Sequence, residues 1–494
     1  MTRCDTHPLR SLLPTALAAT CLVICCPLGG CGDGNACKPQ VALVCEDGMT
    51  YHVDSCGNRG EISEQCECGC NAAGTDCATC GCEPDCTDRR CGSDGCGGSC
   101  PPGCDAGETC NEATGQCIAE LETVLWEYEA GDHVHSSVAR GSDGKLYIIS
   151  KDGMLHAVDP QGQPAWTRSI AAEPAGNYTP VPSPVVRSDD VVLAASWGSD
   201  CLIAYDAAGD EQWRYSTGLG LQAAPAIDPD DNAYFGCKTP SGGGYIQGLC
   251  SVDAQGQERW VVENVGWTLE VPPSLGPDGN LYIINDHCEV LSYDTAGNER
   301  WTVTLDLSGV DYPTCKAPIA IAGDGTLVVH ADDHGLLLDP SDGSVLQSLA
   351  IEGSAERAPI WLGGAQPTAV FAKFGAFITA ELIAVGMDGN VRWREMIGTG
   401  STGICSPAAD SDLLLYLPAD TLYTYSADGT AGPEYEVGIR GPTRSSPLIS
   451  QDGTIYLTGG TKLIAVESNS TGRAADAWPR RYRDERNTSC WNCQ

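Results

Sequence analysis

A few small groups of residues have the types and spacing to do chemistry. His330-x-x-x-His334, with Asp332 and Asp333 between, offers imidazole and carboxylate ligands for a metal ion. Asp228-x-Asp230-Asp231-Asn232 has the oxygen density of a calcium loop but lacks the Gly and distal Glu of an EF-hand, so it reads as an acidic turn. Cys66-x-Cys68-x-Cys70 and Cys77-x-x-Cys80-x-Cys82 have thiolate-cluster spacing. Cys490-x-x-Cys493 has redox spacing, but no βαβ pattern surrounds it and no His follows for haem attachment; it reads as a short disulfide. His133 and His135 share one face of a strand and read as loop or core histidines. The chain has no Gly-x-Ser-x-Gly elbow, no His-Glu-x-x-His and no phosphate loop.

The elements that would carry these residues repeat. His156–Asp159 (HAVD) recurs at Ile203–Asp206, Cys250–Asp253, Leu291–Asp294, Leu336–Asp339, Ile383–Gly386, Tyr423–Ser426 and Ile464–Glu467. Copies lie roughly 40–47 residues apart, the period of a four-stranded propeller blade. Seven residues after the first six segments stand Trp166, Trp213, Trp260, Trp301, then Leu346, then Trp393. Upstream come Ser183-Pro184, Ala224-Pro225, Ala317-Pro318, Ala358-Pro359, Ser406-Pro407 and Ser446-Pro447. Asp143-Gly144 and Asp152-Gly153 are tight-turn dipeptides, and the alternation through Lys145–Ile149 predicts a half-buried strand. The eighth unit has no Trp of its own, whereas Val124–Tyr128 (VLWEY) is an orphan strand ahead of the first unit. If Trp126 supplies the eighth unit's last strand, the ring closes with no exposed edge. The fold expected is all-β: an eight-bladed β-propeller preceded by a small disulfide-rich module.

Ala157-x-Asp159-x-x-Gly162-x-x-x-Trp166 resembles the tryptophan-docking repeat of quinoprotein (pyrroloquinoline-quinone-like) eight-bladed propellers, over residues 121–470. That resemblance implies that Trp126, Trp166, Trp213, Trp260, Trp301 and Trp393 stack between blades and are structural. It also implies a question about cofactor. Quinone-dependent dehydrogenases hold calcium on carboxylate and amide oxygens, place an Asp base at the quinone, and often carry a vicinal disulfide. The only adjacent cysteines here, Cys25 and Cys26, fall in the first thirty residues, and no calcium ligands can be assigned. The connections between strands are short, and basic residues are sparse from Glu122 to Leu463. No cofactor is therefore expected; the alternative is pyrroloquinoline quinone with Ca2+, in an oxidoreductase of alcohols or sugars. The non-catalytic relative in this resemblance is the propeller lipoprotein subunit of the outer-membrane β-barrel assembly machinery, whose specific role is not carried over.

Residues 1–30 read as a targeting segment, with Arg3 and Arg10 ahead of a mostly apolar Leu12–Leu28 broken by Pro14 and Pro27. Leu28-Gly29-Gly30-Cys31 resembles the lipobox of bacterial lipoproteins. It implies an acylated Cys31 that anchors the protein in a lipid bilayer of the cell envelope, at the outer membrane or cell surface. Residues 31–120 are a different material, with 16 cysteines from Cys37 to Cys117 and little apolar surface for a core. In an exported chain this reads as a disulfide framework, and thiolate metal binding is the rival. Cys82–Cys117 resembles a Cys-rich module of exported myxobacterial proteins. Within the propeller, Cys237 and Cys250 flank the Gly-rich 241–244 and could bridge it. The tail, residues 471–494, carries Trp478 and Tyr482, expected to pack on the ring. Its Arg480, Arg481, Arg483 and Arg486 would either dock on acidic loops or form an exposed partner patch.

The chain has 28 basic and 66 acidic residues, a net charge of −38, which repels nucleic acid and anionic lipid. The reading that results is a non-catalytic, membrane-anchored extracytoplasmic lipoprotein whose propeller binds a protein partner. The lipid anchor is testable by substitution. Cys31→Ser should move the protein from the membrane fraction to the soluble fraction on ultracentrifugation; unchanged partitioning would remove the lipobox reading.

Overall fold

The protein is described here as a computed structural model. It describes residues 42–46, 49–53 and 59–65, scattered residues between 86 and 119, and most of 124–493; gaps in that last stretch are 171–181, 196–199, 219, 242–243, 267–270, 308–314, 352–356, 365, 376–378, 399–405, 419–421, 433, 435–436, 438–444, 469, 471, 473 and 475–476. The chain divides into two compact units, Met1–Glu83 and Pro84–Gln494. In the first, Ala42–Glu46, Met49–Val53 and Arg59–Gln65 form a three-stranded antiparallel sheet.

The second unit contains an eight-bladed propeller, and no helix occurs among the described residues. Six blades are four-stranded antiparallel meanders built in chain order, covering 139–169, 185–216, 226–263, 274–304, 320–350 and 360–398. Among the described residues blade seven has three strands, Ala408–Ala409, Leu415–Pro418 and Leu422–Tyr425. Blade eight joins Leu448–Ile449, Ile455–Gly459 and Lys462–Val466 to the early strand Val124–Glu129. Ala465 faces Trp126 there, so the orphan strand closes the ring as the sequence implied. The first three residues of every repeated tetrapeptide lie on the third strand of a blade, and the fourth ends that strand or follows it.

The core is not inside a blade but between blades. Each apolar cluster draws on neighbouring sheets, for example blades one and two through Tyr147, Ile149, Leu155, Ile203 and Tyr205. This corrects the half-buried expectation for Lys145–Ile149. Leu146–Ile149 is buried at every position, because both faces of an inner strand are covered by adjacent blades. Alternation survives only on the outermost strands, where Pro164–Ser169 runs exposed and half-buried in turn.

The closing strand is also tied by polar contacts. The Tyr128 hydroxyl and His156 Nδ1 of blade one share a 3.0 Å hydrogen bond, and His156 Nε2 meets Ser150 Oγ at 2.8 Å. Ser150 Oγ in turn donates to Asp152. Burial pushes the His156 pKa below its ordinary value, partly offset by the charge of Asp152.

Two outcomes follow from this packing. Trp213→Ala removes an inter-blade indole and should cost about 3 kcal/mol in urea unfolding. His156 titrates lower in the folded than in the unfolded state, whose pKa is about 6.5, so the folded state binds fewer protons below that pH. Its contribution is complete above pH ~6.5 and is lost as pH falls below it. His156→Gln should flatten that part of the stability profile, read as the difference between the two proteins' urea midpoints from pH 8 to pH 5.

Candidate functional site

Each docking tryptophan sits on the outermost strand of one blade and donates its indole N–H to the third-to-fourth-strand turn of the next. Trp126 bonds Pro160 O at 3.0 Å, Trp166 bonds Ala207 O at 3.1 Å, and Trp213 bonds Ala254 O at 3.0 Å. Trp260, Trp301 and Trp393 bond Thr295 O, Pro340 O and Ala427 O at 3.1, 3.0 and 2.8 Å. The turn's Gly is the other half of the contact. A Cβ on Gly162, Gly209, Gly256, Gly297, Gly343 or Gly429 would stand 2.4–2.8 Å from an indole carbon, and all six have φ of 74–89°. Each of these tryptophans is half-buried, with its indole laid against the turn glycine of the next blade.

Blade five departs from the sequence expectation. Gln347, not Leu346, occupies the tryptophan position, because Leu337 pairs Gln347 as Ala157 pairs Trp166. The turn Asp339–Gly343 is one residue longer than Asp159–Gly162, which shifts the seven-residue offset. Gln347 meets Gly389 of blade six, and Leu346 points out, 47% exposed.

The Ser-Pro and Ala-Pro pairs lie just ahead of innermost strands. Ser183 Oγ accepts from Ser137 N at 2.8 Å, Ser137 Oγ from Ser446 N at 2.9 Å, and Ser406 Oγ from Ala358 N at 3.1 Å. These serine hydroxyls therefore link neighbouring blades around the axis, as the tryptophans do at the rim.

The tail occupies one mouth of the axis. Trp478 exchanges both backbone hydrogen bonds with Trp361 of blade six, at 2.9 and 3.0 Å, and Pro479 O accepts from Ala409 of blade seven at 2.9 Å. Further on, the carbonyls of Glu485, Arg486, Thr488 and Ser489 accept from Arg140, Val186, Ile227 and Leu275 of blades one to four, at 2.7–2.9 Å. Arg480 reaches Val138 O at 3.2 Å, Ser446 O at 3.4 Å and Asp484 O at 2.8 Å. Trp478, Arg480, Tyr482, Arg483, Asp484, Asn487 and Thr488 are all at least 97% buried. The expectation of an exposed arginine patch is thus overturned for Arg480 and Arg483. Both are buried: backbone carbonyls at the axis accept the Arg480 guanidinium donors, and the Arg483 guanidinium lies over the Trp491 ring.

Over this tail lies a cleft of about 520 Å³ between blades eight, one, two and three. Its arginines are already engaged. Arg140 bonds Glu485 at 3.0 Å, Arg187 bonds Asp189 at 2.6 Å and also Ala254 O, and Arg486 bonds Cys493 O. Burial disfavours the Arg140 charge, but the hydrogen bond and charge of Glu485, with Tyr456 and Asp452, outweigh it and hold its pKa above the ordinary value. Asp190 and Asp231 accept from Ser142 and Ser188 of the preceding blades, and Asp228 accepts from Tyr234 Oη at 2.6 Å. A quinone carrying several carboxylates needs free cations; Arg140 and Arg187 already pair with carboxylates and Arg486, on a neutral carbonyl, stands among several acids, so this donor set suits it poorly. Asp228, Asp231, Asp484 and Glu485 face the same space.

The other sequence candidates are dispersed. His330 pairs Gly335 while His334 pairs Ala331, so the two imidazoles lie on opposite faces of the sheet and cannot share a metal. His330 is buried edge-on against Phe371, and His334 sits beside Asp333. Asp228 caps its own turn by accepting from Asp230 N and Asn232 N at 3.0 and 2.9 Å, as the acidic-turn reading has it. His133 and His135 lie in the connection between Val124–Glu129 and Ala139–Arg140, not on a strand, with rings 6.2 Å apart. The Ser150–His156 pair has hydrolase-like chemistry, but Ser150 is 1% exposed and the carboxylate contacts the Ser rather than the imidazole.

Cys237–Cys250 and Cys490–Cys493 are disulfides, as expected, and Cys288–Cys315 is a third that spacing did not suggest. In the Cys-rich region Cys86 pairs Cys100 and Cys91 pairs Cys110. The sulfurs of Cys91, Cys104 and Cys110 come within 4.8 Å of one another, but all three are in disulfides and offer no thiolate. Cys31 and the cysteines from Cys66 to Cys82 lie outside the described residues.

Residues 116–263 match the family model described as outer membrane protein assembly factor BamB. No curated protein matches the chain. Among solved structures, BamB from Moraxella catarrhalis is 15% identical with a TM-score of 0.54, over 70% of this chain and 97% of that one. The computationally designed Ika8 protein is 12% identical with a TM-score of 0.50, over 70% and 99%. A europium-containing methanol dehydrogenase is 12% identical with a TM-score of 0.49, over 71% and 85%. At these identities the likeness is one of fold. The docking tryptophans, the turn glycines and the closing strand make this chain an eight-bladed propeller, with a disulfide-bonded Cys-rich region ahead of it in sequence.

Proposed function

We propose that this protein is a non-catalytic extracytoplasmic lipoprotein, anchored through Cys31 to the outer membrane or cell surface, whose propeller is a docking platform for a protein partner. One observation carries the reading. At one mouth of the ring axis, a concave place suited to holding a small molecule, the space is filled by Trp478–Cys493. In the cleft that remains above the tail, Arg140 pairs with Glu485, Arg187 pairs with Asp189, and the aspartates accept from hydroxyl and backbone donors. Such a surface is suited to recognition over an area rather than to chemistry on one bond. The match to the assembly-factor model supports the same direction. The strongly acidic balance favours a partner with a basic face.

The test has two arms. The intact lipidated protein, cross-linked in its membrane and purified after solubilisation, should bring down one protein in near-stoichiometric amount. The purified protein should neither bind pyrroloquinoline quinone with calcium nor reduce a dye in the presence of alcohols or sugars. Tight quinone binding with turnover would replace this reading by that of a quinone-dependent oxidoreductase.

A further inference from the structure

The boundary between blades five and six is built differently from its neighbours. Its outer contact is Gln347 against Gly389, where the boundaries on either side have Trp301 and Trp393. An amide in place of an indole removes a large apolar area and the indole N–H bond to the next blade. Yet the apolar cluster here is the one that runs through three blades. It joins Tyr282 and Ile284 of blade four, Leu327 and Leu336 of blade five, and Trp361, Phe371 and Ile383 of blade six. Trp478 is buried in it, and Trp491 packs against it.

Both tryptophans come from the tail. The tail joins the ring at blade six, where Trp478 pairs Trp361, and bonds blades seven, one, two and three in turn. It leaves at blade four, where Trp491 N donates to Leu275 O at 2.9 Å. It has gone round the axis the long way, and its two ends meet over blade five. There the rings of Trp478 and Trp491 stack, 6.3 Å between centroids and 21° between planes. Trp491 is held from both sides. The Cys490–Cys493 disulfide brackets it in the chain, and the Arg483 guanidinium lies 4.6 Å over its ring.

We infer that Trp478–Cys493 is a clasp that closes the ring across blades five and six by the Trp478–Trp491 stack, in place of the docking tryptophan that blade five lacks. Blade four is joined to blade six through the tail, and the boundary that lost its rim contact is secured at the axis instead.

The test uses the full-length protein and hydrogen exchange followed by mass spectrometry. Trp491→Ala should speed exchange by about tenfold in 345–350 and 360–375, while 192–195 and 201–205 of blade two keep their protection. Trp491→Phe should restore most of it. Gln347→Trp supplies the missing indole against Gly389 and should slow exchange in the same segments, in the native background and with Trp491→Ala. A uniform rise across all blades, or no change at blades five and six, would overturn the clasp. If Trp491→Ala does not fold, Trp491→Leu takes its place, with the same faster exchange expected at blades five and six alone and the same outcomes overturning the clasp.

Discussion

The rest of the molecule depends on one contact, an indole laid on a glycine turn of the next blade. Blade sheets are apolar on both faces and cannot be stable singly. They must be stacked, and the stack must be held at a spacing that leaves no void. The tryptophan sets that spacing at the rim, and the turn Gly accepts it because any side chain there would collide with the ring. The indole N–H bond to a turn carbonyl fixes the orientation. Near the axis the serine hydroxyls of the Ser-Pro pairs do the complementary job on backbone N–H groups that face a neighbour instead of a strand.

A ring has no redundancy at its seams, since opening one boundary exposes two apolar faces. Three devices address this. The early strand Val124–Glu129 completes the last blade, so the two ends of the propeller segment lie in one sheet. Tyr128 ties that strand to blade one through a buried imidazole. The tail then crosses from blade to blade on the axis by backbone hydrogen bonds, which are indifferent to the side chains of the strands they meet. Filling the axis with the chain's own backbone has a functional consequence. At the mouth the tail occupies, rims and turns rather than an open channel face outward.

The arginines of the tail show how misleading local composition can be. A run of four in a chain of net charge −38 invites an electrostatic reading. In the structure Arg480 serves carbonyls and Arg483 covers an aromatic ring, both away from water. Guanidinium suits this use because its several donors can satisfy carbonyls from different blades at once.

Much of the fold was legible in the residues alone. Three markers in a common register, the period, and the surplus strand around Trp126 follow from local pattern, because each blade repeats the same local problem and answers it with the same residues. What the pattern could not carry was decided by tertiary structure. The one-residue lengthening at Asp339–Gly343 moved the docking position from Leu346 to Gln347, since a longer turn ahead of the same strand bulge delays by one the residue that faces the next blade. His330 and His334 are close in sequence yet lie on opposite faces of a hairpin. Strand patterns that read as half-buried were buried on both faces, because burial in a propeller is set by the neighbouring sheet. The tail's place on the axis has no periodicity to announce it. Its partners are the ends of innermost strands hundreds of residues away, and only closing the ring brings those ends together.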